Sequence, residues 1–95
     1  MYGDLDIGIV INNAGTVHSG LYDTISAKEL VDDVNCDLRA VFALNRFMIP
    51  RLRARAHRSA IINLASSTGY YLTGRIGIYS SAKLILDVYS RILDL

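Results

Sequence analysis

Two runs of consecutive apolar residues stand out in the pattern of hydrophobic and polar positions along the chain. The first, IGIVI, covers residues 7–11, and the second, AIINL, covers residues 60–64. Neither run alternates with polar residues, which is typical of strands buried on both faces of a parallel sheet. We therefore predict adjacent parallel strands near residues 7–12 and 60–65.

Apolar positions recur at steps of three and four in the two remaining segments, which predicts amphipathic helices over residues 26–55 and 77–95. Ser26 and Glu29 have the spacing of a capping box at the start of the first helix, and Pro50 is expected to kink or end it. The apolar positions assigned to the face of the first helix are Val31, Val34, Leu38, Val41, Phe42, Met48, Ile49 and Leu52, and those assigned to the second are Leu84, Ile85, Val88, Ile92 and Leu95.

The predicted order of elements is strand, helix, strand, helix, without repeats or a low-complexity linker. Two successive β-α units imply a parallel sheet with right-handed crossovers, so the predicted fold class is α/β. The chain has 95 residues, of which 52% are hydrophobic and only 20% charged. A free-standing domain of this size usually carries more charge. The composition therefore suggests a core segment whose usual neighbours are absent.

Charge and cysteine content narrow the classes of function. The net charge of +1 creates no general field that favours nucleic acid or a membrane surface. The single cysteine, Cys36, excludes an internal disulfide framework and predicts a reducing intracellular compartment. The basic residues within 51–58 are interpreted as a solvated helix end whose cations complement the helix dipole. No metal site is predicted.

Tyr79 and Lys83 form the first candidate for chemistry. They stand four positions apart at the start of the second predicted helix, so their side chains share one face. An ammonium group beside a phenol favours the phenolate and lowers the phenol pKa, which makes tyrosine usable as an acid or base near neutral pH. Ser66 follows the second strand, and residues 13–15 follow the first. Because the carboxyl ends of parallel strands face the ligand crevice, these groups are expected on one rim.

Four stretches now give the chain a recognisable pattern. NNAG after the first strand, DDVNCDL in the first helix, NLASSTG after the second strand and YSSAK in the second helix occur in this order. Together they resemble the short-chain dehydrogenase/reductase superfamily in its common short-chain form, and the match spans nearly the whole chain. The stretches LDIGIVINNAG and YSSAKLILDVYSRIL are most similar to the steroid dehydrogenase and 3-oxoacyl-CoA reductase branch.

The resemblance implies four catalytic residues. Tyr79 would be the general acid/base for the carbonyl or hydroxyl, and Lys83 would favour its phenolate form. Ser66 would hydrogen-bond the substrate oxygen, with Ser67 as the rival disfavoured by the position of the glycine in STG. Asn35 would anchor a water that relays protons to Lys83. The substrate implied is a small, apolar molecule that carries a ketone, an oxoacyl group or a secondary alcohol.

The resemblance also implies a nicotinamide cofactor, with NADP favoured over NAD. Lys83 would hold the nicotinamide ribose hydroxyls, and Asn12 would tie neighbouring strands together. The residues predicted to line the cofactor are Asn13, Ala14, Gly15, Tyr79 and Lys83. The family's glycine-rich turn after its first strand, which grips the pyrophosphate, does not occur in this chain.

The expected architecture is therefore a partial Rossmann-like, doubly wound parallel sheet that lacks the first βαβ half. Residues 1–95 would be the central, catalytic segment of one NAD(P)-binding domain, and the full-length protein would be a homo-oligomer. It would associate with the endoplasmic reticulum membrane if the absent N-terminal region carries an anchor. The alternative is a non-catalytic remnant of the fold that acts as an interaction or oligomerisation module.

Several other residues are not expected to take part in the chemistry. His18 and His57 are expected to be solvated, and Cys36 is expected to be a small buried hydrophobe. Tyr70 and Tyr71 follow the candidate serine, where they would either line a substrate cleft or cover the edge of the sheet.

Overall fold

The computed structural model describes residues 5–70 and 74–94 of the chain. Its strands and α-helices are β1 (Ile9–Asn12), α1 (Ala27–Val34), α2 (Ala40–Arg53), β2 (Ala60–Asn63) and α3 (Gly77–Leu93). A π-helical turn at Asn35–Arg39 joins α1 to α2, and 3₁₀ turns at Tyr22–Thr24 and Ser67–Gly69 precede α1 and α3.

The two strands pair in parallel, in a register that runs from Ile9 opposite Ala60 to Asn12 opposite Asn63. This confirms the predicted strands, their adjacency and the α/β class. Each strand spans four residues and is shorter than the apolar run that predicted it.

One face of the sheet is covered by helices, and the other is open. Val10 of β1 packs with Met48 and Leu52 of α2, and Ile7 and Ile61 border this small core. Within the described residues nothing covers the opposite face, whose exposed side chains are Ile9, Ile11, Ile62 and Leu64. The prediction of strands buried on both faces is therefore wrong for this chain, because α2 and α3 both pack against the same face of the sheet.

The helices bury part of the predicted apolar face, namely Val41, Met48 and Leu52, together with polar residues that the pattern did not predict. From α1 through the π-helical turn to α2, the buried positions recur at steps of three and four and are Asp33, Asp37, Val41, Asn45, Met48 and Leu52. Val31 and Val34 lie on the outside. The predicted apolar face of α3 is exposed at Leu84, Ile85, Val88 and Ile92, and Leu95 lies outside the described residues.

The first predicted helix begins as expected but is not continuous. The Ser26 hydroxyl accepts a hydrogen bond from the Glu29 amide at 3.1 Å, and the Glu29 carboxylate accepts one from the Ser26 amide at 2.9 Å, which confirms the capping box. The π-helical turn then interrupts the α-helix at Asn35. Pro50 lies within the last turn of α2, which ends at Arg53.

Replacing Ser26 with alanine should lower the free energy of unfolding by about 1 kcal/mol, because the Glu29 amide loses its side-chain acceptor. Urea titration of the two proteins measures this difference. The matched control is Ser19→Ala at an exposed loop position, which should leave the midpoint unchanged. An equal shift in both variants would show that the cap does not stabilise α1.

The basic segment 51–58, at the end of α2, was interpreted as solvated, and this interpretation is wrong for Arg55. The Arg55 side chain is only 17% exposed and pairs with Asp6 at 2.7 Å, which lowers the pKa of the Asp6 carboxyl. Its guanidinium also donates to the Arg58 carbonyl and the Ser59 hydroxyl. Arg55 therefore joins the start of β1 to the segment that leads into β2.

Candidate active site

Tyr79 and Lys83 lie in the first turns of α3, where Tyr79 is the third residue of the helix. Their four-residue spacing places both side chains on one side of α3, and the Lys83 Nζ atom lies 5.5 Å from the centre of the Tyr79 ring. Lys83 is 4% exposed, whereas Tyr79 is half-buried. The pair thus combines a buried cation with a phenol that solvent or a ligand can reach.

The Lys83 ammonium is anchored to the end of β2. It donates a hydrogen bond of 2.9 Å to the carbonyl of Leu64, the residue that follows the strand. The Leu64 amide in turn donates to the Asn12 carbonyl at 3.1 Å. An ammonium carries three N–H donors, so this anchor leaves two for other partners. The anchor fixes Lys83 at the carboxyl edge of the sheet, as the sequence predicted.

Ser66 lies at the same edge, as the N-cap of the 3₁₀ turn at Ser67–Gly69. Its Oγ atom accepts hydrogen bonds from the Thr68 amide at 3.3 Å and from the Thr68 hydroxyl at 3.0 Å. The turn packs against α3, the helix that carries Tyr79. The capping bonds hold the Ser66 hydroxyl in a defined position, while the preference for Ser66 over Ser67 as a substrate contact stays a prediction.

The predicted cofactor-lining residues Asn13, Ala14 and Gly15 follow β1 directly and are all exposed. A side-chain carbon placed on Gly15 would lie 3.5 Å from both the Lys83 Nζ atom and an Asp37 carboxylate oxygen. The loop after β1 therefore passes beside Lys83, and its exposed residues and the lysine lie on one side of the molecule.

Asn35 is the first residue of the π-helical turn. Its amide donates to the carbonyls of Val31 and Asp32, while its own carbonyl accepts from the Ala40 amide, five residues on. Turns of this kind widen the helix and frequently occur at functional sites. The Asn35 side chain is half-buried. Its predicted role as a water anchor stays a prediction.

Asp37 is the residue at this site that the sequence analysis missed. Its side chain is wholly buried, and Oδ1 accepts a hydrogen bond of 2.8 Å from the Thr16 amide. Oδ2 is buried without a partner among the described residues. Burial raises the pKa of the Asp37 carboxyl, and the Thr16 amide and the Lys83 charge oppose that rise. Its spacing of four from Asp33 and from Val41 was the available indication of a shared, buried face.

His18 is also not the solvated side chain that the sequence suggested. Its Nδ1 atom lies 2.7 Å from Oδ1 of Asp33, whose side chain is 2% exposed, while the His18 side chain is 34% exposed. This contact joins the loop after β1 to α1. Cys36 is a free, half-buried thiol, close to the expected description. Tyr70 is exposed, and Tyr71 lies outside the described residues.

A network of amides supports the site from within the fold. The Asn12 side-chain amide donates to the side-chain oxygens of Asn45 at 3.0 Å and Asn63 at 2.7 Å. Asn45 donates to the Tyr89 hydroxyl at 3.3 Å, and Asn63 donates to the Ser90 hydroxyl at 2.9 Å. The network joins both strands to α2 and α3, and extends the predicted strand-tying role of Asn12.

One cavity of the described structure lies away from this edge of the sheet. It has a volume of about 560 Å³ and lies between the ends of α2 and α3 and the beginning of β2, where Arg53, Ser59 and Asp94 are among its lining residues. None of the predicted site residues lines it. The paired polar groups in its lining, Asn63 and Ser90, belong to the amide network, so we assign the candidate site to the carboxyl edge of the sheet, where Lys83 and Tyr79 lie.

Within 5–70 and 74–94, no three side chains of the metal-ligating types come together. The helices in these ranges are also too short or too polar to span a bilayer.

The site fits a nicotinamide cofactor in its donor set. Lys83 has N–H donors beyond the one given to Leu64, and Tyr79 presents a reachable phenol. The loop at Asn13, Ala14 and Gly15 leaves an exposed surface next to both. Ribose hydroxyls are ligands that such a set of donors and acceptors can bind. These features define an α/β protein of the Rossmann type with a tyrosine–lysine pair at the carboxyl edge.

Comparison with known proteins agrees with this description. The sequence model of the family described as short chain dehydrogenase matches residues 1–95. The chain belongs to this family of oxidoreductases.

Three similar proteins illustrate the match. Very-long-chain 3-oxoacyl-CoA reductase-A of Danio rerio is 32% identical over 91 residues, covering 92% of this chain and 28% of that protein. Inactive hydroxysteroid dehydrogenase-like protein 1 of Homo sapiens is 27% identical over 93 residues, covering 96% and 28%. The 3-ketoacyl-(acyl-carrier-protein) reductase of Brucella melitensis, solved in complex with NADH, superposes with a TM-score of 0.85 at 24% identity, covering 97% of this chain and 39% of that one. The chain thus spans less than a third of the length of these two curated relatives.

Proposed function

We propose that this chain provides the proton-transfer centre of an NAD(P)-dependent oxidoreductase that interconverts a ketone or oxoacyl group and a secondary alcohol. The observation that carries the proposal is the buried Lys83 ammonium, anchored to the Leu64 carbonyl and held beside the Tyr79 phenol. A cation kept in this position stabilises negative charge on the phenol oxygen, which the proton transfer requires.

In the direction of reduction, the Tyr79 hydroxyl donates its proton to the carbonyl oxygen as that oxygen gains negative charge. The Ser66 hydroxyl, fixed by its capping bonds to Thr68, donates a hydrogen bond to the same oxygen. Lys83 stabilises the phenolate that remains, and the proton returns to Tyr79 through Lys83 and the water held by Asn35. The cofactor, when bound, supplies the hydride to the carbonyl carbon.

The cofactor is proposed to lie along the loop after β1, against Asn13, Ala14 and Gly15, with its ribose hydroxyls at Tyr79 and Lys83. The NADH complex of the Brucella melitensis reductase supports a nicotinamide cofactor for this fold. The preference for NADP over NAD stays a prediction, because the described residues do not include the part of the fold where the two are distinguished.

The proposed substrate is an apolar oxoacyl or steroid-like carbonyl compound. The support is the name of the Danio rerio relative, a very-long-chain 3-oxoacyl-CoA reductase, together with the exposed Tyr70 beside the Ser66 turn. We also propose a reducing intracellular compartment, with which the free Cys36 agrees. Assembly into a homo-oligomer is proposed from the exposed apolar face of α3.

A second candidate function is a non-catalytic interaction module. It is favoured by the inactive hydroxysteroid dehydrogenase-like relative, whose name indicates that the fold can persist without the activity. The exposed apolar side chains of α3 and of the open sheet face would serve as its contact surface. The two candidates differ in one measurable respect, since only the first requires Tyr79 and Lys83 to support turnover.

The chain alone is expected to show no measurable dehydrogenase activity and to bind NADH or NADPH weakly. Hydride transfer needs the nicotinamide held in near-attack geometry, and no glycine-rich turn is present in this sequence to hold the pyrophosphate. Fluorescence titration with each nucleotide and a reductase assay test this expectation. Micromolar cofactor affinity of a monomeric, cooperatively folded chain would contradict it.

The proposed activity is tested directly in a chimera with a complete relative. In the Danio rerio reductase-A, the matching 91 residues are replaced by those of this chain; this protein is called the reductase chimera below. We expect it to oxidise NADPH in the presence of a 3-oxoacyl-CoA. A chimera that binds NADPH but shows no turnover would support the interaction module instead.

A further inference from the structure

Asp37 is a buried carboxylate that the proposed proton transfer does not use. Its side chain is wholly buried on the π-helical turn, and one of its oxygens has no partner among the described residues. An unpaired buried carboxylate is costly unless a charge nearby compensates it. The position of Asp37 therefore calls for a compensating cation.

Lys83 is the cation that faces Asp37. The Lys83 Nζ atom and the Asp37 Oδ1 atom each lie 3.5 Å from the place where a side-chain carbon on Gly15 would be, so they are no more than about 7 Å apart. The missing side chain of Gly15 leaves this space free of protein atoms from that residue. Both groups are nearly or wholly inaccessible to solvent, so their interaction is weakly screened.

Other charged groups around Asp37 do not replace Lys83. Asp33 on α1 is also negative, and its charge raises the pKa of the Asp37 carboxyl. His18 contacts Asp33 at 2.7 Å. The Thr16 amide, in the loop after β1, donates a hydrogen bond to only one of the two Asp37 oxygens. The Lys83 charge, by contrast, lowers the pKa of the Asp37 carboxyl and so opposes the rise in pKa that burial causes.

We propose that Asp37 is a positioning residue of the site, a buried counter-charge that holds the Lys83 ammonium beside Tyr79. Lys83 would thus be held by its hydrogen bond to the Leu64 carbonyl at the end of β2 and by the attraction of the Asp37 carboxylate, which lies within about 7 Å on the π-helical turn. The catalytic consequence rests on the proposed function, whereas the charge coupling between Asp37 and Lys83 does not.

The coupling is tested without cofactor, by following the carboxyl carbon of Asp37 by NMR in this chain as the pH is changed. Burial is expected to raise the titration midpoint of Asp37 above the ordinary value of an aspartate, and Lys83→Met should raise that midpoint further. Lys83→Arg, which keeps the charge, should leave the midpoint near that of the unmodified chain. Lys28→Met, on the exposed side of α1, should not change it.

An Asp37 midpoint that is the same with Lys83 and with methionine there would overturn the proposal. A midpoint moved equally by Lys83→Arg and Lys83→Met would also overturn it, since packing and not charge would then be responsible. A chain without a folded state counts against it too, because the proposal requires the π-helical turn to form around Lys83. None of these readings depends on enzymatic activity.

In the reductase chimera, Asp37→Asn removes the charge but keeps an oxygen for the Thr16 amide. With Asp37 uncharged, the positive charge of Lys83 at the site is no longer partly compensated. The acid limb of the pH–rate profile for alcohol oxidation should therefore move to lower pH. A rate reduced equally at every pH would indicate a merely structural role and would contradict the proposal.

Discussion

Tyr79→Phe should reduce the turnover of the reductase chimera by about 10²–10⁴-fold while changing its affinity for NADPH by less than about threefold. The substitution deletes only the phenolic oxygen that donates the proton. It leaves the ring, the helix start and the Lys83 anchor to Leu64 in place. Steady-state rates measured across the pH range, with nucleotide titration by fluorescence, separate the two effects.

The matched control for this prediction is Tyr22→Phe, which removes the same oxygen from an exposed 3₁₀ turn. Its rates should equal those of the unmodified chimera. Near-normal turnover of the Tyr79 variant at all pH values would rule out the phenol as the proton donor. A loss of nucleotide affinity as large as the loss of turnover would instead indicate that Tyr79 acts mainly in binding.

Asn12→Ala should lower the free energy of unfolding by about 2–4 kcal/mol, because Asn12 is the shared donor to two other amides. Its removal leaves the side-chain oxygens of Asn45 and Asn63 without that hydrogen bond, and Asn45 is wholly buried. Each buried polar group left unsatisfied costs about 1–3 kcal/mol. The effect is large beside the total stability of a small domain, and urea titration of the chimera measures it.

Asn13→Ala is the control, since Asn13 is the adjacent residue, has the same side chain and is exposed. We expect its unfolding midpoint to stay within about 0.5 kcal/mol of the unmodified protein. If the two alanine variants were equally stable, the network around Asn12 would not contribute to the fold. A loss confined to Asn13→Ala would assign the stabilising role to the loop instead.

The strands, their parallel pairing and the two helix starts were predictable because local chemistry determines them. An uninterrupted β-branched run such as residues 7–11 favours a strand wherever it occurs. The Ser26–Glu29 capping box forms within four residues and needs no tertiary contact. The four-residue spacing of Tyr79 and Lys83 likewise needs only a helix to bring the side chains together.

The buried faces of the helices were only partly predictable from the apolar pattern, since Val41, Met48 and Leu52 are buried as expected but the interior at this site is polar. Asp33, Asp37 and Asn45 are wholly or almost wholly buried, while Val31 and Val34 lie outside. Their partners are the Thr16 amide, His18 and Asn12, which stand 15 to 33 residues away in sequence. Local patterning fails where distant polar groups satisfy one another, and such places are commonly functional sites.

The same limit explains why the sequence singled out Asn35, whose role stays a prediction, but not Asp37. Asn35 belongs to a motif that resembles a known family, whereas the importance of Asp37 depends on Gly15 and Lys83, which approach it only in the folded chain. The prediction that the apolar face of α3 is buried was wrong for the opposite reason. Its residues are apolar, but within the described structure the sheet is covered by the face that carries Lys83 and Leu86.

The helical path from α1 through the π-helical turn at Asn35–Arg39 to α2 makes the middle of this chain sensitive to changes in length. An α-helix advances by about 100° per residue, so a residue inserted into or deleted from the α-helical turns on either side would rotate α1 relative to α2 by that angle. Asn45 and Asp33 could then no longer face the interior together. Insertions and deletions in relatives should therefore be rare between residues 33 and 45, and a gap in that stretch would indicate a differently built site.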